Sequence, residues 1–248
     1  MSARVIKCAA SLAASSGGKR VAVVLAGCGV YDGSEIQEAA YALYHLSAAG
    51  AEFQCFAPNV DQHHAVDHTS GDEHSHNRNV LVESARIARG DVKPLSELSA
   101  GEFDALVVPG GFGAAKNLCN HATVAQGDKA KMKVNKDLAR CINEFAEAGK
   151  PQGFCCISPV IPAFLLPGVS VTIGKGAELA NGDAAWPYSG TSGACENYGA
   201  VHVDTDVDEV CVDDARKIVT SSAYMHNGTP SSIFDSVGGM VRGTLNLA

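Results

Sequence analysis

Two adjacent cysteines, Cys155 and Cys156, lie in the run Gly153-Phe-Cys-Cys-Ile-Ser-Pro-Val160, where an apolar segment gives way to the first residues of a helix. Pro159 suits a first helical turn and Ser158 its cap, so the spacing puts Cys156 on the sharp strand-to-helix turn. There it would face unpaired backbone N–H groups and the positive end of the helix dipole, a setting that favours the nucleophilic thiolate. Cys155 should point to the other side of the strand and into the core, because strand side chains alternate. Cys8, Cys28, Cys55, Cys119, Cys141, Cys195 and Cys211 read as small buried apolar side chains, a reading that stays open for Cys156 itself.

Three other segments carry groups that could take part. Glu35 falls in the first turn of a helix, where the macrodipole alone accounts for a carboxylate. It joins the chemistry only if it reaches the Cys156 sulfur, where burial would raise its pKa and let it shuttle a proton. Pro109-Gly-Gly-Phe-Gly113 presents backbone N–H groups free of side-chain obstruction, which suits an oxyanion hole and equally a tight bend. His63, His64, His68, His74 and His76, with Asp67, Asp72 and Glu73, crowd one polar loop. They lack a metal-site spacing such as H-E-x-x-H, so the loop reads as solvated and no metal or other cofactor is assigned.

The elements that must position these groups follow from the hydrophobic pattern. Arg20 to Ala26 is a continuous apolar run closed by Gly27, as expected of a strand covered on both faces of a parallel sheet. Ser34 looks like the N-cap of the next helix, with Gln37 completing a capping box and Gly50 ending it. Ala51 to Ala57 and Phe103 to Val108 read as the second and third strands, Asn135 to Gly149 as an amphipathic helix, and Gln152 to Cys155 as the fourth strand. Val169 to Ile173, Ala200 to Val203, Glu209 to Val212 and Lys217 to Thr220 are short strand candidates, some forming a ribbon at the sheet edge, and Ser231 to Leu247 is a closing helix. The alternation predicts an α/β doubly wound sandwich with a mostly parallel sheet, whose ligand site lies beyond the carboxyl ends of the strands. Three segments then converge on one rim: Gly27 to Glu35, Pro109 to Gly113, and Cys156.

Composition narrows the function classes. With 248 residues and 46% hydrophobic side chains, the chain can bury a sizeable core without disulfides or metal. Its formal charge of -8 and the lack of basic stretches interleaved with aromatics argue against a nucleic-acid partner. Gly, Pro or a charge interrupts every apolar run before the roughly 20 residues of a membrane span, so no membrane insertion is expected. Nine cysteines without a disulfide-like spacing fit a reducing compartment. Residues 1–19 hold Arg4, Lys7 and Lys19, and no acid appears before Asp32, the bias of a mitochondrial targeting segment or of a frayed basic tail. A single domain is expected over 20–248, with a mitochondrial address and a cytoplasmic one as the alternative.

Taken together, Val24-Leu-Ala-Gly-Cys-Gly-Val-Tyr-Asp-Gly-Ser-Glu-Ile36, Arg78 to Gly90, Val108-Pro-Gly-Gly-Phe-Gly-Ala-Ala-Lys-Asn-Leu118 and Gly153 to Pro159 resemble the enhancing-lycopene-biosynthesis protein family. Its animal members are mitochondrial glutamine-amidotransferase-like proteins, and the resemblance runs from about Arg20 to the C-terminus. It implies a flavodoxin-like, class I glutamine amidotransferase-like fold within the superfamily of the parkinsonism-associated deglycase and the PfpI proteases, usually homodimeric. It also implies Cys156 as the elbow nucleophile, Glu35 as the carboxylate bonded to it, and Gly111 with the backbone N–H of Ile157 as oxyanion contacts.

The implied chemistry is glyoxalase-like. The thiolate would add to the aldehyde of a small-molecule carbonyl substrate such as methylglyoxal, and a proton shuttle would yield a hydroxy acid. Members with a Cys-His pair place the histidine just after the strand that follows the elbow helix, where this chain has Gly174 and Lys175. No histidine orients Cys156 locally, and His202 and His226 are distant in sequence, which argues against peptidase and glutaminase chemistry. The alternative to a weak carbonyl-processing enzyme is a regulatory or redox-sensing protein that retains the elbow cysteine.

Overall fold

The computed structural model describes residues 3–8, 18–74, 76–125 and 127–248. Strands Arg4–Lys7 (β1) and Arg20–Val24 (β2) lead to helix Ile36–Ala48 (α1) and strand Glu52–Ala57 (β3). A small hairpin, Ala65–Val66 (β4) with Glu73–His74 (β5), precedes helix Val80–Ile87 (α2) and strand Val92–Pro94 (β6). Strand Ala105–Val108 (β7), helices Phe112–Lys116 (α3) and Lys136–Glu147 (α4), strand Gln152–Cys155 (β8) and helix Val160–Leu165 (α5) follow. The chain finishes with Ser170–Val171 (β9), Ala177–Ala180 (α6), Thr191–Tyr198 (α7), Val201–His202 (β10), Glu209–Asp213 (β11), Ile218–Ser221 (β12) and Pro230–Leu247 (α8).

Among the described residues, eight strands form the main sheet in the order β1-β11-β12-β8-β7-β2-β3-β6. From β12 to β6 every neighbouring pair is parallel, and β1 and β11 extend the sheet antiparallel. Helices α1 and α8 pack together, as do α4 and α5, giving the layers that cover the sheet. Val21 to Val24, Ala105 to Val108 and Phe154 are fully buried, as continuous apolar runs in a parallel sheet should be. This is the flavodoxin-like, mostly parallel α/β sandwich that the sequence predicts. From β2 the chain winds outward through β3 to β6, then returns to the other side of β2 with β7. The strand order therefore reverses between β2 and β7, which opens a crevice above their carboxyl ends.

The sheet also reaches upstream of Arg20. Residues 4–7 pair in register with 209–212, Arg4 bonds Asp214, Lys7 bridges Asp208 and Glu209, and Cys8 is buried behind them. Charge composition registers a basic segment but not its capacity to add a strand at a sheet edge. Residues 1–2 and 9–17 of the expected targeting segment or tail lie outside the described residues. Among the described residues no helix is long and apolar enough to cross a membrane.

Candidate functional site

The elbow is built by backbone constraint. Cys156 sits at φ +59°, a left-handed conformation that a side chain-bearing residue adopts only when its surroundings hold it there. Here the Cys156 N–H donates to the Ser221 carbonyl at 3.0 Å, which ties the turn to the end of β12. Ser158 does not cap the following helix. Its hydroxyl donates to the Val108 and Cys155 carbonyls at 2.9 and 2.8 Å and receives the Cys155 N–H at 3.0 Å, fastening the elbow to β7 and β8. Pro159 is the N-cap of α5, a helix of only six residues.

The cap of α1 also differs from expectation. Ser34 is fully buried and receives the Ala26 N–H at 2.8 Å, so it stitches the loop after β2 to its own strand. Glu35 is the true N-cap, and its Oε2 receives the Glu38 N–H at 2.7 Å. The Glu35 N–H in turn donates to the Gly110 carbonyl at 3.0 Å, which docks the start of α1 on the loop after β7. Burial pushes the Glu35 carboxyl above its ordinary range.

Of the two carboxyls at the start of α1, Glu38 is the one whose charge acts on the Cys156 thiol, while Glu35 stands on the cavity wall. Glu38 lies one turn further along α1, has no solvent exposure, and receives the Gly110 N–H on Oε2 at 3.0 Å and the Tyr224 N–H on Oε1 at 3.1 Å. The Cys155 thiol also points at Glu38 Oε2, at 3.8 Å, so the two neighbouring thiols share one acceptor. Strand alternation would have sent them apart; the left-handed elbow rotates Cys156 back. Burial, reinforced by the charge of Glu35, raises the Glu38 pKa to about 8.

Cys156 is 7% exposed, and burial followed by the charge of Glu38 pushes its thiol well up, not down. The expected dipole effect of the following helix is overridden because α5 is short while the desolvation is nearly complete. The backbone N–H groups of Gly111 and Ile157 both face the sulfur and act in the opposite sense, favouring its anion. These are the two residues that the family resemblance names as oxyanion contacts, and they meet at one atom. Gly111 adopts φ +93°, and a methyl group there would stand 2.2 Å from the Glu35 nitrogen. Only glycine allows the two loops to touch.

A cavity of about 750 Å³ opens over Cys156, with Glu35, Gly111 and Ile157 in its wall. Two histidines also line it. His226, from the loop after β12, meets Trp186 edge to face with ring centres 4.6 Å apart and has a buried Nδ1 without a hydrogen-bond partner among the described residues. His121 shares a 2.9 Å hydrogen bond between its Nδ1 and the Tyr198 hydroxyl. Burial lowers the pKa of both, keeping the rings neutral. Sequence distance hid His226, and nothing in the local pattern around His121 marks it.

His202 stays away from the cavity, its Nε2 receiving the Ile173 N–H at 3.3 Å. At Gly174, where a Cys-His pair would carry its histidine, a methyl group would fall 2.0 Å from the Trp186 ring, so no side chain fits. In the histidine-rich loop, His64 bonds Glu73 at 2.7 Å and lies 2.8 Å from Lys116 Nζ, while His68 receives the Tyr31 N–H at 3.1 Å. Among the described residues no three donors gather in a metal-binding group.

Comparison with known proteins places this geometry in context. The chain is 50% identical over 229 residues to the human mitochondrial glutamine amidotransferase-like class 1 domain-containing protein 3, covering 92% of this chain and 83% of that one. A crystal structure of an isoprenoid biosynthesis protein with an amidotransferase-like domain from Ehrlichia chaffeensis superposes with a TM-score of 0.80. It is 36% identical and covers 92% of this chain and 100% of its own. Glyoxalase III from Candida albicans shares the fold at a TM-score of 0.56 and 16% identity, covering 92% and 98% of the two chains. No protein-family model matches the chain.

Proposed function

Because the chain belongs to the glutamine amidotransferase-like class 1 domain family, whose members include enhancing-lycopene-biosynthesis-like proteins, we propose that it is a cysteine-dependent, glyoxalase-like enzyme acting on small dicarbonyls. One observation carries the reading: a thiol and one carboxyl, Cys156 and Glu35, line a single cavity, and a second carboxyl, Glu38, with a pKa of about 8, is buried against the thiol beneath its wall. The compartment in the human relative's name, the mitochondrion, extends to this chain as part of the proposal, as does a homodimer.

In the proposed reaction Glu38 accepts the thiol proton as the Cys156 sulfur bonds to the aldehyde carbon, so the sulfur never holds a full charge in its dry setting. The N–H groups of Gly111 and Ile157 stabilise the oxygen that gains charge, and protonation of that oxygen completes a thiohemiacetal. Glu35, on the cavity wall, then removes the C–H proton from the former aldehyde carbon and delivers it to the adjacent carbon. This leaves a hydroxyacyl thioester on Cys156. Water splits the thioester, releasing the hydroxy acid and restoring the thiol. One carbon is oxidised and its neighbour reduced, so the sum is addition of water and no external oxidant is needed.

A proton acceptor that is a carboxylate, with no imidazolium paired to the sulfur, gives little help to an amine leaving group, which works against amidase and peptidase chemistry. A thiol raised by burial is protonated at neutral pH, which works against the redox-sensing alternative. The purified protein should convert methylglyoxal to lactate, followed by loss of the dicarbonyl and chiral analysis of the product. Cys156→Ser should abolish turnover; full activity in that variant removes Cys156 from the mechanism.

A further inference from the structure

Methylglyoxal is a three-carbon molecule, and the cavity over Cys156 is far larger than it requires. At about 750 Å³ it falls within the ~300–1,000 Å³ range of pockets that enclose drug-sized ligands. Its wall is mostly aromatic and aliphatic: Phe112 and Tyr188 meet edge to face with ring centres 6.1 Å apart, and Tyr31, Tyr224 and Met225 complete the apolar lining. Among the described residues no lysine or arginine lines it, and Glu35 contributes the single acidic side chain. Both lining histidines are buried enough to remain uncharged. Such a wall has polar groups such as Gln37, Thr191 and Asn227 but no fixed positive charge to offset the desolvation of a phosphate, a carboxylate or the zwitterion of a free amino acid.

We propose that the preferred substrate is a neutral α-oxoaldehyde carrying an aryl or extended alkyl group, which the apolar cavity holds while the aldehyde is delivered to Cys156. The proposal rests on the glyoxalase-like reading of the site and names its substrate class. The chemistry is unchanged by the larger group: R–CO–CHO and water give R–CHOH–COOH, the aldehyde carbon oxidised and the ketone carbon reduced. What changes is the binding contribution of R, buried against rings in place of water. The anionic product also meets a wall with no cation and an acid at Glu35, which favours its departure.

The test compares kcat/KM of the full chain for methylglyoxal, phenylglyoxal and 4-carboxyphenylglyoxal. Phenylglyoxal should exceed methylglyoxal by about tenfold or more, since a hydrophobic pocket separates substrates by about that factor for a single methylene. The carboxylated compound, of similar shape but charged, should fall back to the methylglyoxal level or below. Equal or better use of methylglyoxal, or undiminished use of the carboxylated compound, overturns the proposal. Ala122→Trp, which fills the cavity from its wall, should lower kcat/KM for phenylglyoxal several-fold more than for methylglyoxal.

Binding separates this inference from the catalytic reading beneath it. The Cys156→Ser protein is titrated with 1-phenyl-1,2-propanedione, which lacks the aldehyde hydrogen, and followed by calorimetry. Saturable binding that Ala122→Trp weakens, with no turnover of any glyoxal by the wild type, upholds the ligand class and sinks the catalysis. Turnover of methylglyoxal with neither aryl preference nor dione binding sinks the ligand class and leaves the catalysis standing.

Discussion

Glu38 takes two backbone N–H groups and a thiol on one buried carboxyl, and the consequences can be read one atom at a time. In Glu38→Gln the side chain keeps one carbonyl oxygen, so either Gly110 or Tyr224 loses its acceptor, at a cost of about 1–3 kcal/mol. The same change removes the charge that holds the Cys156 thiol up. Alkylation of Cys156 at pH 9, where the wild-type carboxyl is ionised, followed by mass spectrometry, should therefore become faster than in the wild type. Turnover should nonetheless fall at least ~10²-fold, because the acceptor for the thiol proton is gone. In the wild type kcat/KM should climb through pH 8 as Glu38 ionises, and in the variant that limb should disappear. Slower alkylation in Glu38→Gln would mean that its carboxylate does not oppose the thiolate. The position of Cys156 on the strand-to-helix turn was legible in the sequence from the apolar run before it and Pro159 after it, whereas its burial, which raises the thiol, was not. The identity of its acid partner was not, since Glu35 and Glu38 lie three apart on one helix face and only the direction of the cap decides which points inward.

At the scale of elements, the site depends on how closely the loops after β2, β7 and β8 approach one another. Gly111→Ala combines a positive φ with a methyl group 2.2 Å from the Glu35 nitrogen, a backbone atom that cannot swing away. Two such faults in one contact should cost about 3 kcal/mol or more, measured by urea denaturation, and should displace the N–H that faces the sulfur. A variant as stable as the wild type would mean that the two loops have slack. The central strands and the longer helices were readable from hydrophobic runs and 3.6-residue periodicity, with ends shifted by one or two residues. The caps were less so: Ser34 and Ser158 have the right chemistry for N-caps, but tertiary partners at Ala26 and Val108 claim both hydroxyls. Tyr224 and His226 reach the cavity from the loop after β12, a strand about sixty residues downstream of the elbow that lies beside β8. No local pattern conveys that adjacency.

For the molecule as a whole, the pKa of about 8 at Glu38 links stability to pH. The unfolded carboxyl releases its proton near its ordinary 4.5, the folded one near 8, so folding takes up a proton between those values. The group's contribution is complete below about pH 4.5, shrinks as pH rises through the window, and is gone above about 8, a change on the order of a few kcal/mol. Thermal denaturation should show Tm of the wild type falling relative to Glu38→Gln between pH 5 and 9; a constant difference would place the carboxyl's titration elsewhere. Doubly wound topology and the rim that bears the site were legible from the alternation of elements, whereas the outermost strand was not, because its residues look like part of a basic leader. That strand has a consequence of its own. With β1 stripped away, the backbone groups of residues 209–212 would lie bare, while the opposite margin is blunted by Pro94, which has no N–H to offer. Loss of β1 would thus leave a template for strand addition, opening the chain to edge-to-edge self-assembly and amyloid-like stacking.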